Sequence, residues 1–292
     1  MKAITYYITF PFLFVVARLP FPLLYLVSDA VYFLVYRVLG YRKKVVFTNL
    51  RNSFPDKTEK EINVLARDFY KYLCDVILET LKTTSWNADT VRKHTKFTNP
   101  EVIQELYEKE QSFLVVLGHL GNWEWGGPCF ALSTNYQLYV VYHPLSNPYF
   151  ERLFAKARTK FNTKIIPRKN ALKSIISNRK TINATALVAD QAPTPVKTAF
   201  WTKFLNQDTA VFTGPEKMSK MLDYPVVYMN IVRVKRGYYE VTAKVLFDKP
   251  KETDDNEITL AFNSILEESI IKNPVTWLWS HRRWKHKRST EE

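Results

Sequence analysis

Residues 113–125 read FLVVLGHLGNWEW, and the rest of the chain is best understood outward from this stretch. Five apolar residues and a glycine lead into His119, and a short polar turn then separates His119 from Glu124. A short apolar run that is bounded by turn residues is typical of a buried strand. The sequence therefore predicts a core strand that delivers a histidine to its carboxyl end.

The spacing of His119 and Glu124 predicts a bend between them. In a continuous helix, positions five apart point about 140° away from each other, so the two side chains could not share a face. Gly121 and Asn122 tolerate the backbone angles of a tight strand-to-helix turn. We therefore expect the Glu124 carboxylate to bind one ring nitrogen of His119, fix its tautomer and raise the basicity of the other nitrogen.

Composition narrows the class of protein. With 292 residues and 46% hydrophobic content, the chain can bury a sizeable core, and Cys74 and Cys129 give neither a disulfide framework nor a metal-ligand spacing. The formal charge of +14 would attract nucleic acid, anionic lipid or phosphorylated substrates. An aromatic content of 15% and an apolar N-terminus favour a membrane surface, so we expect a membrane and no nucleic acid as partner.

The N-terminus carries two apolar runs, at 3–17 and 19–36, which are split at Arg18. Each is shorter than the roughly 20 clean apolar residues that a transmembrane helix needs. We predict that residues 1–50 form a helical membrane-anchoring segment, embedded in the membrane or lying in its plane, with the basic residues 42–44 at the cytoplasmic headgroups. A single tilted span and a pair of buried core helices are the alternatives.

Residues 51–292 are predicted to form one α/β domain, with a mostly parallel central sheet flanked by helices. After residue 110, short apolar strands alternate with helices, a pattern that produces such a sheet. The predicted strands are 113–118, 137–142, 163–167, 184–189, 225–234 and 238–247. In parallel sheets the working residues gather at the carboxyl ends of strands. Four polar side chains fall at or just past such ends: His119, His143, Arg168 and Asp190.

Several local signals refine this prediction. Thr58 and Glu61 match a capping box, which predicts the start of a long amphipathic helix. Residues 196–213 are predicted to be irregular. Asp254 or Asp255 is expected to cap the last helix.

A base at a strand end, beside a basic and aromatic membrane-facing surface, suits attack by an acceptor hydroxyl on an acyl thioester. His119 would take the hydroxyl proton, Glu124 would stabilise the imidazolium, and backbone N–H groups at Gly121 or a nearby arginine would hold the oxyanion. The sequence lacks the G-x-S-x-G elbow, the G-x-G-x-x-G and Walker loops, and the H-E-x-x-H zinc motif. Acyl transfer is therefore favoured over hydrolase, nucleotide or zinc chemistry, with no metal and no cofactor expected.

HLGNWE at 119–124 resembles the H-x4-D/E signature of the lysophospholipid acyltransferase superfamily, in the glutamate form found in the lipid A late acyltransferases, the lauroyl and myristoyl transferases. Similar segments continue in order to about residue 285. They are VYHPLSNPYFERL from 141, Arg158, the IPR that ends in Arg168, VADQ at 188–191, FTG at 212–214 and HRRWK at 281–285.

This resemblance implies acyl transfer from acyl carrier protein or a coenzyme A thioester to a hydroxyl of a lipid A precursor, at the cytoplasmic face of the inner membrane. The thioester is then a donor substrate rather than a cofactor. His119 and Glu124 carry over as the catalytic pair. The candidate substrate-binding residues, from the resemblance and from their places in the predicted fold, are Gly121, Asn122, Arg158, Arg168, Asp190, Gln191, His281, Arg282 and Arg283.

Two segments depart from the pattern of the family. QAPTP follows Asp190 in place of the usual continuation, and FWTK at 200–203 replaces a phenylalanine-glycine element. The acceptor therefore stays open, and a glycerophospholipid or an amino-acid-containing lysolipid acylated at the same H-x4-E site is the alternative. A binding protein without catalysis, for membranes or nucleic acid, is a third hypothesis that rests only on charge.

Overall fold

A seven-stranded sheet forms the centre of this computed structural model, which describes residues 1–196 and 199–288. Residues 289–292, the end of the predicted 51–292 domain, lie outside the described residues. The described residues contain nine strands, of which β6 and β7 form a separate two-stranded sheet: β1 (Thr95–Phe97), β2 (Phe113–Leu117), β3 (Gln137–Tyr142), β4 (Lys164–Pro167), β5 (Asn183–Val188), β6 (Phe200–Phe204), β7 (Gln207–Val211), β8 (Val226–Lys235) and β9 (Tyr238–Phe247).

Eleven α-helices surround the sheet in the part of the chain that the structure describes. They are α1 (Lys2–Arg18), α2 (Phe21–Tyr32), α3 (Lys43–Ser53), α4 (Glu59–Lys82), α5 (Ala88–His94), α6 (Glu101–Glu108), α7 (Trp123–Ser133), α8 (Pro148–Arg158), α9 (Ala171–Asn178), α10 (Gly214–Leu222) and α11 (Glu257–Lys272).

The strand order across the sheet is β1-β9-β8-β2-β5-β3-β4. Strand β2 lies at its centre and pairs in parallel with β5 on one side and β8 on the other. Strands β8 and β9 form an antiparallel hairpin, and the other neighbouring strands run parallel. The predicted α/β fold with a mostly parallel central sheet is confirmed.

Strand β2 is buried on both faces, as its unbroken apolar run predicts. Side chains alternate along a strand, so Val115 and Leu117 pack with α7 while Val116 packs into the core beside α4 and α11. Leu114 joins a smaller cluster with residues of α9 and α10. Helices therefore cover both faces, and the end of β2 is the place where polar chemistry can reach the surface.

The segment 196–213, predicted to be irregular, instead contains β6 and β7, which pair as an antiparallel hairpin. Leu205 and Asn206 form its turn with φ angles of 49° and 64°. Left-handed backbone at both positions suits a tight hairpin, but leucine is not a residue that signals such a turn. Residue patterns therefore do not predict this hairpin. Residues 197 and 198 lie outside the described residues.

The predicted cap of the last helix is also wrong. Asn256, rather than Asp254 or Asp255, is the residue before α11, and its own side chain makes no capping hydrogen bond. The Glu216 carboxylate of α10 accepts hydrogen bonds from the backbone N–H groups of Asn256 and Thr259 at 2.7 and 3.0 Å. A buried acid from another helix thus meets the positive end of α11, which local sequence cannot reveal.

The two N-terminal apolar runs form α1 and α2, which separate at Leu19 and Pro20. Helix α2 continues as a π-helical turn, and the 18 residues Phe21–Val38 are apolar and long enough to cross a membrane by length and composition alone. Large exposed apolar side chains are concentrated before residue 42. This makes the helix a candidate anchor. The boundary near residue 50 stays a prediction, because Val46 and Leu50 also pack into the core beside α4.

The capping box of α4 is confirmed, since Thr58 Oγ1 accepts from Glu61 N–H while the Glu61 carboxylate accepts from Thr58 N–H. We expect Thr58→Ala to lower the free energy of unfolding by about 1 kcal/mol, because an N–H of the first turn loses its partner. Urea denaturation measures this. Thr58→Ser, which keeps the hydroxyl, is the control, and equal losses in the two variants would contradict the prediction.

Candidate active site

His119 lies just past the end of β2, and its ring is held by Asp190 at the end of the neighbouring strand β5. Its Nδ1 is 2.6 Å from Asp190 Oδ1, and its backbone N–H donates to Asp190 Oδ2 at 2.8 Å. The two residues are 71 positions apart, the same offset that pairs Leu117 with Val188 in the sheet. Parallel pairing of two strands therefore brings the histidine and its carboxylate together.

Asp190 is buried and accepts a further hydrogen bond from Trp277 Nε1 at 2.8 Å. Burial by itself would raise the pKa of this carboxyl group. The His119 imidazole and the hydrogen-bond donors outweigh burial and lower the pKa of Asp190 to about 2. The carboxylate is therefore ionised at neutral pH.

An ionised carboxylate can only accept, so a neutral His119 ring places its proton on Nδ1 and leaves Nε2 with a free lone pair. This tautomer is assigned from the hydrogen-bond pattern. The Gln191 side-chain amide is 3.2 Å from Nε2 and can donate to it. Nε2 therefore has the protonation state of a base.

Glu124 does not take the expected place beside the His119 ring. It lies in the first turn of α7 and forms a two-pronged ion pair with Arg158 of α8, at 2.6 and 2.9 Å. The predicted orientation of His119 by Glu124 is thus wrong: the neighbouring strand supplies the acid, whereas the following helix directs its glutamate towards α8. Glu124 still lines the same cavity as His119, and its catalytic role stays a prediction.

The turn after His119 requires a glycine. Gly121 has a φ angle of +58°, and a Cβ atom there would lie 2.0 Å from the Ile231 carbonyl oxygen. Its N–H donates to Thr276 O, and its carbonyl accepts from the Tyr72 hydroxyl. Asn122, which is fully buried, caps α7 by accepting from Trp125 N–H. Both residues therefore shape the turn, and the Gly121 N–H, which was expected to hold the oxyanion, already donates to Thr276 O.

A buried carboxylate, Glu79 of α4, holds this turn in place. It accepts hydrogen bonds from Asn122 Nδ2, the Tyr239 hydroxyl and the Tyr25 hydroxyl, at 2.8, 2.7 and 2.8 Å. Burial raises the pKa of Glu79, and the hydrogen bonds from the Tyr239 and Tyr25 hydroxyls oppose that effect. Glu79 was not among the predicted site residues. The sequence feature that could have identified Glu79 is its position four residues after Asp75 on the apolar face of a long helix. Acids on such a face are unusual, and the structure shows both carboxylates to be buried.

A cavity of about 760 Å³ opens beside His119 at the carboxyl ends of the strands. Five of the predicted site residues line it: His119, Glu124, Arg158, Arg168 and Gln191. Its lining otherwise is largely apolar on the α7 face of the sheet, with Val115, Leu117, Phe130, Leu138, Val140 and Met229. The predicted site residues that do not line it are Gly121, Asn122, Asp190, His281, Arg282 and Arg283.

The HRRWK segment packs next to the site and contacts the chain that follows Asp190. His281 Nε2 accepts from Ala192 N–H at 3.2 Å, next to Gln191. Arg283 is only 3% exposed and donates to the Ala210 carbonyl of β7 at 2.7 Å, which contradicts the predicted substrate-binding role of this side chain. Burial lowers the pKa of Arg283 to about 10, although Asp190 opposes the shift. Arg282 is exposed.

In this α/β domain, a histidine whose ring is held by a buried carboxylate lies at the mouth of a largely apolar cavity, an arrangement that fits an acyltransferase. Comparison with known families agrees. The family model described as bacterial lipid A biosynthesis acyltransferase matches residues 1–286, and this chain belongs to that family. The resemblance that the motifs suggested is thereby confirmed.

Individual relatives are distant but match along most of the chain. The lipid A biosynthesis lauroyltransferase of Escherichia coli (strain K12) is 26% identical over 277 residues, which are 94% of this chain and 89% of the relative. The palmitoleoyltransferase of the same organism is 24% identical over 92% of this chain and 87% of its own length. A lipid A biosynthesis acyltransferase of Haemophilus influenzae is 26% identical over 84% and 78%.

Gly121→Ala tests the turn. We expect it to lower the free energy of unfolding by at least about 2 kcal/mol, because a Cβ atom meets a backbone carbonyl in left-handed backbone. Gly127→Ala is the matched control: its Cβ would meet nothing nearer than 3.9 Å, and alanine favours the helix interior. Chemical denaturation of both variants measures the difference. Equal stability of the two variants would contradict the close approach at Gly121.

His281 predicts a pH dependence of stability. Burial lowers the pKa of His281 from 6.5 to about 4 in the folded protein. As pH falls from 6.5 towards 4, the unfolded chain takes up a proton that the folded chain does not, so the free energy of unfolding decreases. We expect His281→Gln, whose amide oxygen can still accept from Ala192 N–H, to show a smaller decrease between pH 7 and pH 5 in urea titrations. Identical slopes would contradict this.

Proposed function

We propose that this enzyme transfers a fatty acyl chain from an acyl carrier protein or coenzyme A thioester to a hydroxyl group of a lipid A precursor. His119 acts as the general base and Asp190 orients it. The observation that carries the proposal is the His119 Nε2 that carries no proton when Nδ1 donates to Asp190, beside a largely apolar cavity in a chain of this family. The names of the relatives, which include a lauroyltransferase and a palmitoleoyltransferase, support a fatty acyl group.

In the proposed reaction, Nε2 of His119 takes the proton of the acceptor hydroxyl as its oxygen attacks the thioester carbonyl. The tetrahedral oxyanion then collapses, the C–S bond breaks, and the imidazolium returns its proton to the leaving thiolate. The products are an ester and a free thiol, and His119 is neutral again. The ionised Asp190 stabilises the imidazolium through the 2.6 Å contact with Nδ1.

The Glu124–Arg158 pair has a second role in this proposal. The carboxylate binds Nε and Nη2 of Arg158, which leaves Nη1 without a partner among the described residues. Because Arg158 lines the cavity together with His119, its fixed guanidinium can donate from Nη1 to the developing oxyanion. Glu124 would then be a positioning residue for this arginine instead of an orienting acid for the histidine.

The apolar part of the cavity is the proposed place of the donor acyl chain. Its walls on the α7 face come from alternate residues of β2 and β3, with Phe130 and Met229. A volume of about 760 Å³ lies within the roughly 300–1,000 Å³ that is typical of ligand pockets. With the acyl chain bound in this part of the cavity, the thioester carbon lies at the cavity mouth, beside His119.

We also propose that the protein works at the cytoplasmic face of the inner membrane. The exposed apolar side chains of α1, α2 and the following turn support this, since Ile8, Phe12, Leu26 and Phe33 are each more than half exposed. The basic stretch Arg42 to Lys44 follows directly and suits anionic headgroups. An in-plane position fits the contacts of Tyr25 and Ser28 with α4, which hold one face of α2 on the domain.

A second acceptor class, a glycerophospholipid or an amino-acid-containing lysolipid, is favoured by one observation. Gln191, Ala192 and Pro193, which belong to the segment that departs from the family pattern, line the cavity next to the base. Because this wall lies next to the base, a change in its residues would alter which acceptor fits there. Mass spectrometry of membrane lipids with and without the active enzyme decides between the two acceptor classes.

The assignment of the orienting acid has a direct test. We expect His119→Asn to abolish acyl transfer and Asp190→Asn to lower kcat by about a thousandfold or more, because the imidazolium loses its counter-charge. Glu124→Gln should lower kcat less than Asp190→Asn, since the His119 ring keeps its partner. Thermal unfolding of each variant controls for folding. Transfer at the wild-type rate in His119→Asn would overturn the proposed function, and a larger loss in Glu124→Gln than in Asp190→Asn would restore Glu124 as the orienting acid.

A further inference from the structure

The cavity extends over both faces of the sheet. Val115 and Leu117 line it on the α7 face, whereas Leu187 points to the opposite face, where it packs with Met218 of α10. His119 lies where the two parts meet at the end of β2. We call the part on the opposite face the α10 arm, and its lining residues are Arg168, Lys169, Leu172, Leu187, Phe212, Lys217, Met218 and Met221.

The α10 arm differs from the α7 face in charge. Arg168, Lys169 and Lys217 line it, and among the described residues none of the three forms an ion pair. By contrast, Arg158, the other arginine that lines the cavity, binds Glu124, and Lys220, one turn along α10, binds Glu216. The α10 arm therefore presents three unpaired positive charges at one opening.

Two separate segments bring these charges together. Arg168 and Lys169 follow β4, while Lys217 lies in the first turns of α10. The guanidinium of the exposed Arg168 lies 5.4 Å from the centre of the ring of Phe212, a residue just before α10, so a cation–π contact links the two segments. Like charges that line one cavity repel one another, and a bound anion would offset this repulsion.

We infer that the α10 arm binds a phosphate group of a substrate through Arg168, Lys169 and Lys217. The inference rests on the proposed function and deepens it, because it separates an apolar subsite for the acyl chain from a cationic subsite for a phosphate. Arginine provides planar paired donors and lysine a compact charge, and both suit a phosphate dianion. Two sources share this chemistry: a phosphate on the acceptor lipid and the phosphate of the donor's phosphopantetheine arm.

Charge-removing variants test the subsite. We expect Lys169→Gln and Lys217→Gln each to raise the KM of one substrate about tenfold, with kcat changed less than about twofold, because the phosphate contact lies away from the reacting atoms. Lys173→Gln is the matched control, since Lys173 is exposed on α9 but does not line the cavity. Its KM values should equal those of the wild type. Unchanged KM values for both substrates in Lys169→Gln and Lys217→Gln would overturn the inference.

The source of the phosphate is identified by removing it from each substrate in turn. If the acceptor supplies it, an enzymatically dephosphorylated acceptor should show a raised KM with the wild type and no further rise with Lys217→Gln. If the donor supplies it, the same non-additive result should appear with an acyl pantetheine thioester that lacks phosphate. Additive effects with both substrates would overturn the inference.

A binding measurement keeps this inference distinct from the proposed function. Wild-type protein that transfers no acyl chain would refute the proposed function alone. In that case, the affinities of wild type and Lys217→Gln for coenzyme A and for phosphorylated and dephosphorylated lipid A precursor in detergent micelles still test the subsite. Tighter wild-type binding of a phosphorylated ligand, lost in Lys217→Gln and weakened by salt, supports the subsite. Equal affinities overturn it.

Discussion

The hydrogen bond between His119 and Asp190 is the interaction on which the site depends, and the pairing of two strands sets its geometry. Because β2 and β5 keep one offset beyond their last paired residues, the two side chains meet without any loop having to place them. Trp277 and the backbone of His119 complete the shell around the carboxylate. A buried charge with this many donors resists rearrangement, since each lost donor would leave a desolvated oxygen.

The protein treats its buried and its exposed charges in opposite ways. Asp190 and Glu79 lie in the interior, and each is satisfied by hydrogen bonds from several directions. The cations of the α10 arm have no such partners among the described residues, although they lie around one opening. The buried carboxylates hold the His119 ring and the turn after it in position, whereas the unpaired cations at the cavity opening are available to bind a ligand.

Sequence patterns predicted what depends on neighbours along the chain. The capping box at Thr58 and the buried strand before His119 are local, and both are present. The partner of His119 was misassigned because the spacing to Glu124 is visible in sequence, whereas the contact with Asp190 arises only when two distant strands pair. Glu79 was missed for the same reason. Its hydrogen-bond partners come from α2, from the turn after His119 and from β9, which meet only in the folded chain.

The link from Tyr25 through Glu79 to Asn122 has a practical consequence for anyone trimming the protein to make it more soluble. Deleting α1 and α2 would remove more than an apolar surface. It would remove the Tyr25 hydroxyl from Glu79, the buried acid that also binds Asn122 in the turn after His119, and the Ser28 hydroxyl from Asp75, which keeps its ion pairs with Arg233 and Arg236. Mild detergents or lipid nanodiscs that retain the whole N-terminus are the safer route to a sample fit for crystallisation.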